Sequence, residues 1–377
     1  MTTPLLFAPL ELRGVRLRNR IVISPMCQYS AQDGMVTDWH LVHLGKFAQG
    51  GAGAVFIEAT AVEKRGRITH GDTGIWDDAH VAGLRKIVDF IKGQGAVAAL
   101  QLAHAGRKAS MARPWHGNGP LTQADLDRGD KPWSTIAPTA TPIDSSWITP
   151  RAMKEGDLQA VLSAYRNAVR RAVAAGFEIL ELHAAHGYLL HTFLSPLSNP
   201  GSLQERMRFP LALAAEVRKA WPDSKPLFVR CSSIDDVEGG WSLEDTVCFA
   251  RELKKTGVDV LDCSSGGIQG SATAATKMLV QRVPGFQIPF AERVRSEAGM
   301  MTLAVGLILT PQQAEEALQA GRADLIAIGR EALYDPNWPL HAALALGVDA
   351  EFGQWPVQYG WWLSRREGLL KKLGVRK

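Results

Sequence analysis

Short apolar runs alternate with amphipathic stretches along most of this chain. The runs are Ile21 to Pro25, Ala54 to Ala59, Ala96 to His104, Phe177 to His183, Pro226 to Arg230, Val258 to Ser264, Met301 to Gly306 and Ala323 to Arg330. Each is close to continuously apolar, as in strands covered on both faces. Each ends in polar residues or glycine. Between them, Val81, Leu84, Val88 and Ile91 share a helical face, after Asp77 and Asp78 and before Gly93. Leu158, Val161, Leu162, Tyr165, Val169 and Val173 make another such stripe, closed by Gly176. Thr310-Pro311-Gln312-Gln313 has the form of a capping box with proline at the first helical position, in a helix ending at Gly321.

Eight strand–helix units predict a closed parallel barrel, one (β/α)8 TIM-barrel domain over residues 1–377. An open doubly wound sheet is the alternative. Its dinucleotide fingerprint is missing: Gly93-Gln94-Gly95 precedes a strand instead of following one. Gly14, inside a short alternating stretch, predicts an N-terminal hairpin lid. Residues 107–150 are rich in Pro, Gly and Trp and lack a period, which predicts an excursion over the barrel mouth anchored by Trp115, Trp133 and Trp147.

Composition narrows the function classes. At 46% hydrophobic and 21% charged, the chain is an ordinary globular one. Its net charge is +4, and the basic residues cluster only in the tail: Arg365, Arg366, Lys371, Lys372, Arg376 and Lys377. Leu369, Leu370 and Leu373 interleave with them, so the tail reads as an amphipathic helix and not as a nucleic-acid arm. No stretch reads as a membrane span or a leader, so a cytoplasmic protein is expected. Cys27, Cys231, Cys248 and Cys263 lack CxxC spacing, which argues against structural zinc, disulfides and an iron–sulfur cluster.

In a barrel of this type, chemistry sits at the C-terminal strand ends. The fourth run closes with His183-Ala184-Ala185-His186-Gly187-Tyr188. If the chain curls after Ala184, with Gly187 easing the bend, both imidazoles and the phenol face one pocket. Two neutral donors and an acid can hold a carbonyl oxygen as it gains charge, then supply a proton. Packed structural histidines, or a zinc pair lacking a clear third ligand, are the other readings. Gly306, Gly329 and Arg330 suggest a phosphate site, or else turn glycines and a surface arginine. Arg230, ending an apolar run, is a buried charge that needs an anion; the N1–O2 edge of a reduced flavin would serve. Gln101 can meet a pyrimidine edge, and small Ala59 lets a flat ring approach. Cys27 is either a thiol beside that ring or a small buried hydrophobe.

Ser24-Pro25-Met26-Cys27 with Tyr29, Gln101-Leu102-Ala103-His104-Ala105-Gly106-Arg107-Lys108, the His183 to Tyr188 stretch and Phe193-Leu194-Ser195-Pro196-Leu197-Ser198-Asn199 resemble the old yellow enzyme family, with Cys27 pointing to its thermophilic-like class. The resemblance runs from about Leu6 to the tail. It implies an FMN-dependent ene reductase that consumes NADPH or NADH and acts on activated alkenes. It implies that His183 and His186 bind the substrate oxygen, that Tyr188 protonates the α-carbon, and that flavin N5 gives hydride to the β-carbon. By the same resemblance Cys27 modulates the flavin and Tyr29 helps bind ligand. Ser24, Pro25, Met26, Cys27, Ala59, Gln101, Arg230, Ser265, Gly306, Gly329 and Arg330 hold FMN, and no metal is expected. A flavin-dependent dienoyl-CoA reductase would need further cysteines and a further domain. A lyase or isomerase on the same barrel would need a catalytic lysine at a strand end.

Two segments depart from the family pattern. After Ser198-Asn199 the chain passes through Pro200-Gly201 directly to Ser202 and Arg206, a shorter loop. The tail over 352–377 carries Val357-Gln358-Tyr359-Gly360-Trp361-Trp362. In this class that tail reaches a neighbouring subunit's site, so Trp361 or Trp362 lines a partner's pocket in a homodimer or homotetramer, or else anchors its own core.

Overall fold

The computed structural model describes residues 3–270 and 279–375. Arg376 and Lys377 of the basic tail lie outside the described residues. Strands β1 (Leu10–Leu12) and β2 (Val15–Leu17) form the antiparallel hairpin expected around Gly14. The barrel strands are β3 (Ile21–Ile23), β4 (Ala54–Ala61), β5 (Val97–Ala103), β8 (Ile179–Ala184), β9 (Leu227–Ser232), β10 (Val260–Ser264), β11 (Met301–Ala304) and β12 (Leu325–Ile328). They close in sequence order, with β12 pairing β3, and every barrel pairing is parallel. Each of the apolar runs became one of these strands. Two-residue strands β6 (Ile136–Ala137) and β7 (Arg151–Ala152) form a separate ribbon in the excursion.

The outer layer is helical: α1 (Asp38–Gln49), α2 (His80–Gly93), α4 (Glu155–Ala175), α6 (Leu203–Ala220), α7 (Leu243–Lys255), α8 (Ile288–Ala298) and α9 (Pro311–Gln319). Short α3 (Gln123–Asp127), α5 (Leu189–Leu194) and α10 (Arg330–Tyr334), with α11 (Trp338–Ala345) and α12 (Val357–Lys372), complete the set. α4 ends where Gly176 turns left-handed at φ +92°, as its stripe predicted. At α9, Thr310 accepts from Gln313 N–H as expected, but Gln313 Oε1 reaches back to Leu309 N–H, so the box is not reciprocal at Thr310. The helix also stops at Gln319, before Gly321. Ser202 accepts from Glu205 N–H at the start of α6, so the short loop after Asn199 is spent as a helix cap.

The core has two parts. One lies between the barrel and its helices. The other fills the lower lumen with Val22, Phe56, Ile179, Phe228, Val260, Leu303 and Leu325, closed by Leu12, Val15 and Leu17 of the hairpin. The hairpin is therefore a lid on the N-terminal end of the barrel. Among the described residues no helix is long and apolar enough to cross a membrane. α12 forms as expected but presents no buried stripe: Leu369 and Leu373 are exposed, and Gly360 is its buried residue.

Candidate active site

The site is built where β8 stops. His186 (φ +60°) and Gly187 (φ +78°) take left-handed backbone just past Ala185, the residue after the strand's end at Ala184, which breaks the alternation of a straight strand. A Cβ on Gly187 would lie 2.3 Å from Gly267 O and 2.7 Å from Lys108 Cε, so only glycine fits. The turn brings the His183 ring 5.2 Å from His186 and 4.9 Å from Tyr188, centroid to centroid. A buried chain of bonds clamps it. His191 Nδ1 accepts from Gly187 N–H at 2.7 Å, and His191 Nε2 meets Asp235 Oδ1 at 2.7 Å. Asp235 Oδ2 in turn accepts from Ser195 Oγ and Trp241 N–H. Lys108 Nζ donates to the carbonyls of His186 and Gly267. Burial, then the Arg107 charge, lowers this lysine to about 7.

The imidazoles are neutral. Burial first, then Arg230, holds both well below the ordinary 6.5. Nδ1 of His183 accepts from Ala185 N–H, which places its proton on Nε2. Nε2 of His186 is taken by Ser264 Oγ at 2.8 Å; with the hydroxyl donating, the His186 proton sits on Nδ1. Tyr188 is buried, and desolvation pushes its phenol well above 10, so it holds its proton. It packs with Ile68, Ala105, Ala109, Met111 and Trp147, with Cys27, Tyr29 and Trp133 against them. Trp133 and Trp147 thus bind the excursion over the mouth, while Trp115 is exposed and meets Tyr29 edge-on at 6.0 Å. Burial, then Glu58 and Asp72, raises the Cys27 thiol well above its usual range, so it is no thiolate.

Beside this turn lies a cavity of about 330 Å³, lined by Ser24, Pro25, Met26, His186, Arg230, Ser265, Gly306, Gly329 and Arg330 among others. Ala59 and Gln101 are buried in strands below, with Ala59 at a bulge in the pairing of β4 with β5. The cavity suits FMN. Arg230 Nε is buried with no hydrogen-bond partner and Arg230 Nη1 donates to Ser24 Oγ at 2.9 Å. Gly306 has φ +111°, which side chains rarely adopt, and a Cβ there would lie 2.8 Å from Gln287 Nε2. Ser265, Gly306, Gly329 and exposed Arg330, the residues read as a phosphate site, line the same cavity. The helix that follows Gly329, α10, has only five residues.

Several expectations change. Arg230 does not wait for an external anion alone: Asp262 Oδ2 is 3.4 Å from its Nε. Gln101 has already committed its amide N–H to Glu181 Oε1 at 2.7 Å. Trp361 and Trp362 stand 48% and 66% exposed on α12, meeting each other edge to face and not anchored in the core. Residues passed over in the sequence are Glu58, Lys108, Glu181, Asp262 and Gln287. Glu58, raised to about 8 by burial, accepts from the Gln28 and Tyr29 backbone and so ties down the Cys27–Tyr29 segment. Glu58, Glu181 and Asp262 each stand as a lone carboxylate in an apolar run, a signal of a buried charge but not of its partners; Lys108 and Gln287 carry no such signal.

A family model described as NADH:flavin oxidoreductase / NADH oxidase family matches residues 5–347. The chain is 43% identical over 366 residues to the NADPH dehydrogenase of Geobacillus thermodenitrificans, covering 94% of this chain and 98% of that one. It is 41% identical over 366 residues to the NADPH dehydrogenase of Bacillus subtilis, covering 94% and 99%. Morphinone reductase superposes with a TM-score of 0.74 at 24% identity, over 91% of this chain and 90% of that one. A 2-naphthoyl-CoA reductase complex reaches 0.79 at 24% identity, over 92% and 53%. The structural likenesses show the fold, and the sequence matches span nearly the whole chain: it belongs to the NADH:flavin oxidoreductase / NADH oxidase family, an FMN-dependent oxidoreductase of the old yellow enzyme kind.

Proposed function

We propose that this protein uses NADPH or NADH to reduce the activated C=C bond of α,β-unsaturated carbonyl or nitro compounds. The observation that carries this reading is the neutral His183–His186 pair beside Tyr188, at the edge of the cavity that holds Arg230. When bound, FMN would supply hydride chemistry. Ser24, Arg230, Ser265, Gly306, Gly329 and Arg330 would hold it. His183 and His186 donate to the substrate's carbonyl or nitro oxygen as charge develops there, each donor worth on the order of 3 kcal/mol in such sites. Tyr188 keeps its proton until the α-carbon needs it. Tyr29 and the neutral Cys27 thiol close the wall on the substrate side. Relatives named NADPH dehydrogenase support the choice of reductant.

A visible spectrum of the pure protein, before and after anaerobic NADPH and then 2-cyclohexenone, tests this. The expected outcome is flavin absorbance, its loss on NADPH, and its return on cyclohexenone. A colourless protein would favour a non-flavin lyase, isomerase or ligand-binding barrel; a flavin that cyclohexenone leaves reduced would remove the alkene assignment. A homodimer or homotetramer is inferred as well, with α12 against a second copy. Support comes from the exposed Val357, Tyr359, Trp361 and Trp362 on a helix that buries little of itself. Removing residues 352–377 should then dissociate the assembly in light scattering.

A further inference from the structure

The layer just below the cavity holds more charge than the proposed reaction uses. Glu181 on β8 and Asp262 on β10 are both 0% exposed, on either side of β9. Arg230 of β9 reaches Asp262 at 3.4 Å without a hydrogen bond from Nε. Gln101 satisfies Glu181 Oε1, but Glu181 Oε2 and both Asp262 oxygens take no hydrogen bond from another described residue. The two carboxyl groups nevertheless stand within hydrogen-bond reach of each other. Two ionised carboxylates cannot bond to one another, and one guanidinium cannot neutralise both. A single proton between them satisfies Glu181 Oε2 and an Asp262 oxygen, and leaves one negative charge facing one positive.

We propose that Glu181 and Asp262 hold one proton between them, and that this pair, acting through Arg230, sets the reduction potential of FMN bound above it. Both are positioning residues, since neither lines the cavity. Burial is the leading cause that raises both carboxyls. The nearby thiols of Cys231 and Cys263, on the other face of their strands, are also raised by burial and stay neutral, and His183 is neutral too, so Arg230 is the charge the pair meets. The effect on FMN rests on the function proposed above; the shared proton does not.

Glu181→Gln and Asp262→Asn, singly and together in the holoenzyme, test the charge count through the midpoint potential of FMN. In either single variant the remaining carboxyl ionises, so the net charge is unchanged. In the double variant one negative charge is lost. Each single change should move the reduction equilibrium by less than about threefold, and the double by about tenfold or more towards reduced FMN, roughly 30 mV for two electrons. Single shifts that are each large and sum to the double would mean two ionised carboxylates, and would overturn the proposal. A double variant with an unchanged potential would overturn it too. Infrared spectra give a readout that needs no cofactor. The wild-type minus Glu181→Gln difference should show the carbonyl stretch of a protonated carboxylic acid, shifted in deuterium oxide; Glu58 cancels in that difference. Its absence would sink the shared proton even if the double variant fails to fold. The band appearing in a protein that binds no FMN would keep the shared proton and remove the functional reading.

Discussion

The lower and upper halves of the barrel lumen stand on the same strands with the same period of two, yet are built from opposite chemistry. Below lie Val22, Phe56, Ala99, Ile179, Phe228 and Val260. One inward step higher on the same six strands come Ser24, Glu58, Gln101, Glu181, Arg230 and Asp262, all buried. Burial therefore does not separate the two layers; satisfaction does. The lower layer needs nothing beyond contact. The upper layer leaves Arg230 Nε, Glu58 Oε1, Glu181 Oε2 and both Asp262 oxygens without partners. Buried polar groups left unsatisfied are costly, and here they gather around Arg230, the member of the layer that with Ser24 also lines the cavity. A rigid apolar base under a polar, incompletely paired layer separates stability from chemistry along a single set of strands.

That separation can be broken by substitution. The largest effect is expected for Phe228→Ala, which should cost about 3–5 kcal/mol of unfolding free energy. Phenol affinity of the folded fraction should stay at the wild-type value, and denaturant melts with ligand titration would show whether it does. Tyr188→Phe should slow alkene-dependent oxidation by on the order of 100-fold, with phenol affinity nearly unchanged. A comparable loss of affinity would make that phenol a structural group. Gly187→Ala should cost about 1–3 kcal/mol, because a Cβ would meet Gly267 O and Lys108 at left-handed φ. It should also disturb carbonyl binding, through the turn it shares with His186. The smallest effect concerns pH. Burial lowers both imidazoles, so their neutral forms contribute stability that is fully present above 6.5 and lost as pH falls towards their folded values. Affinity for a non-ionising ketone should stay flat through 6.5; a drop centred there would show that one imidazole titrates normally.

The same contrast explains what the sequence disclosed. Continuous apolar runs located the barrel strands, because strands covered on both faces leave no polar side to blur them. The His183 to Tyr188 turn was legible through Gly187 and the spacing of three polar rings. Glu181 and Asp262 were not, since a lone carboxylate in an apolar run says nothing about its partners. Those partners are set by register: Gln101 opposite Glu181, and Arg230 opposite both His183 and Asp262. Arg230 was singled out correctly as a buried charge, but its neighbour on β10 lies 32 positions away, beyond any local pattern. The ribbon of β6 and β7 was missed because two-residue strands carry no period. The α12 helix was visible, but the exposure of its two tryptophans was not, because the tail's residue pattern does not say which side chains the rest of the chain covers.

The central claim is that the His183–His186 pair serves the substrate's oxygen and not the nicotinamide. It is tested most directly by rapid mixing of the His183→Ala/His186→Ala holoenzyme, one half-reaction at a time. Reduction of the flavin by NADPH should remain within a few-fold of wild type, while its oxidation by 2-cyclohexenone should fall by more than about 100-fold. Equal losses in the two half-reactions would contradict the account.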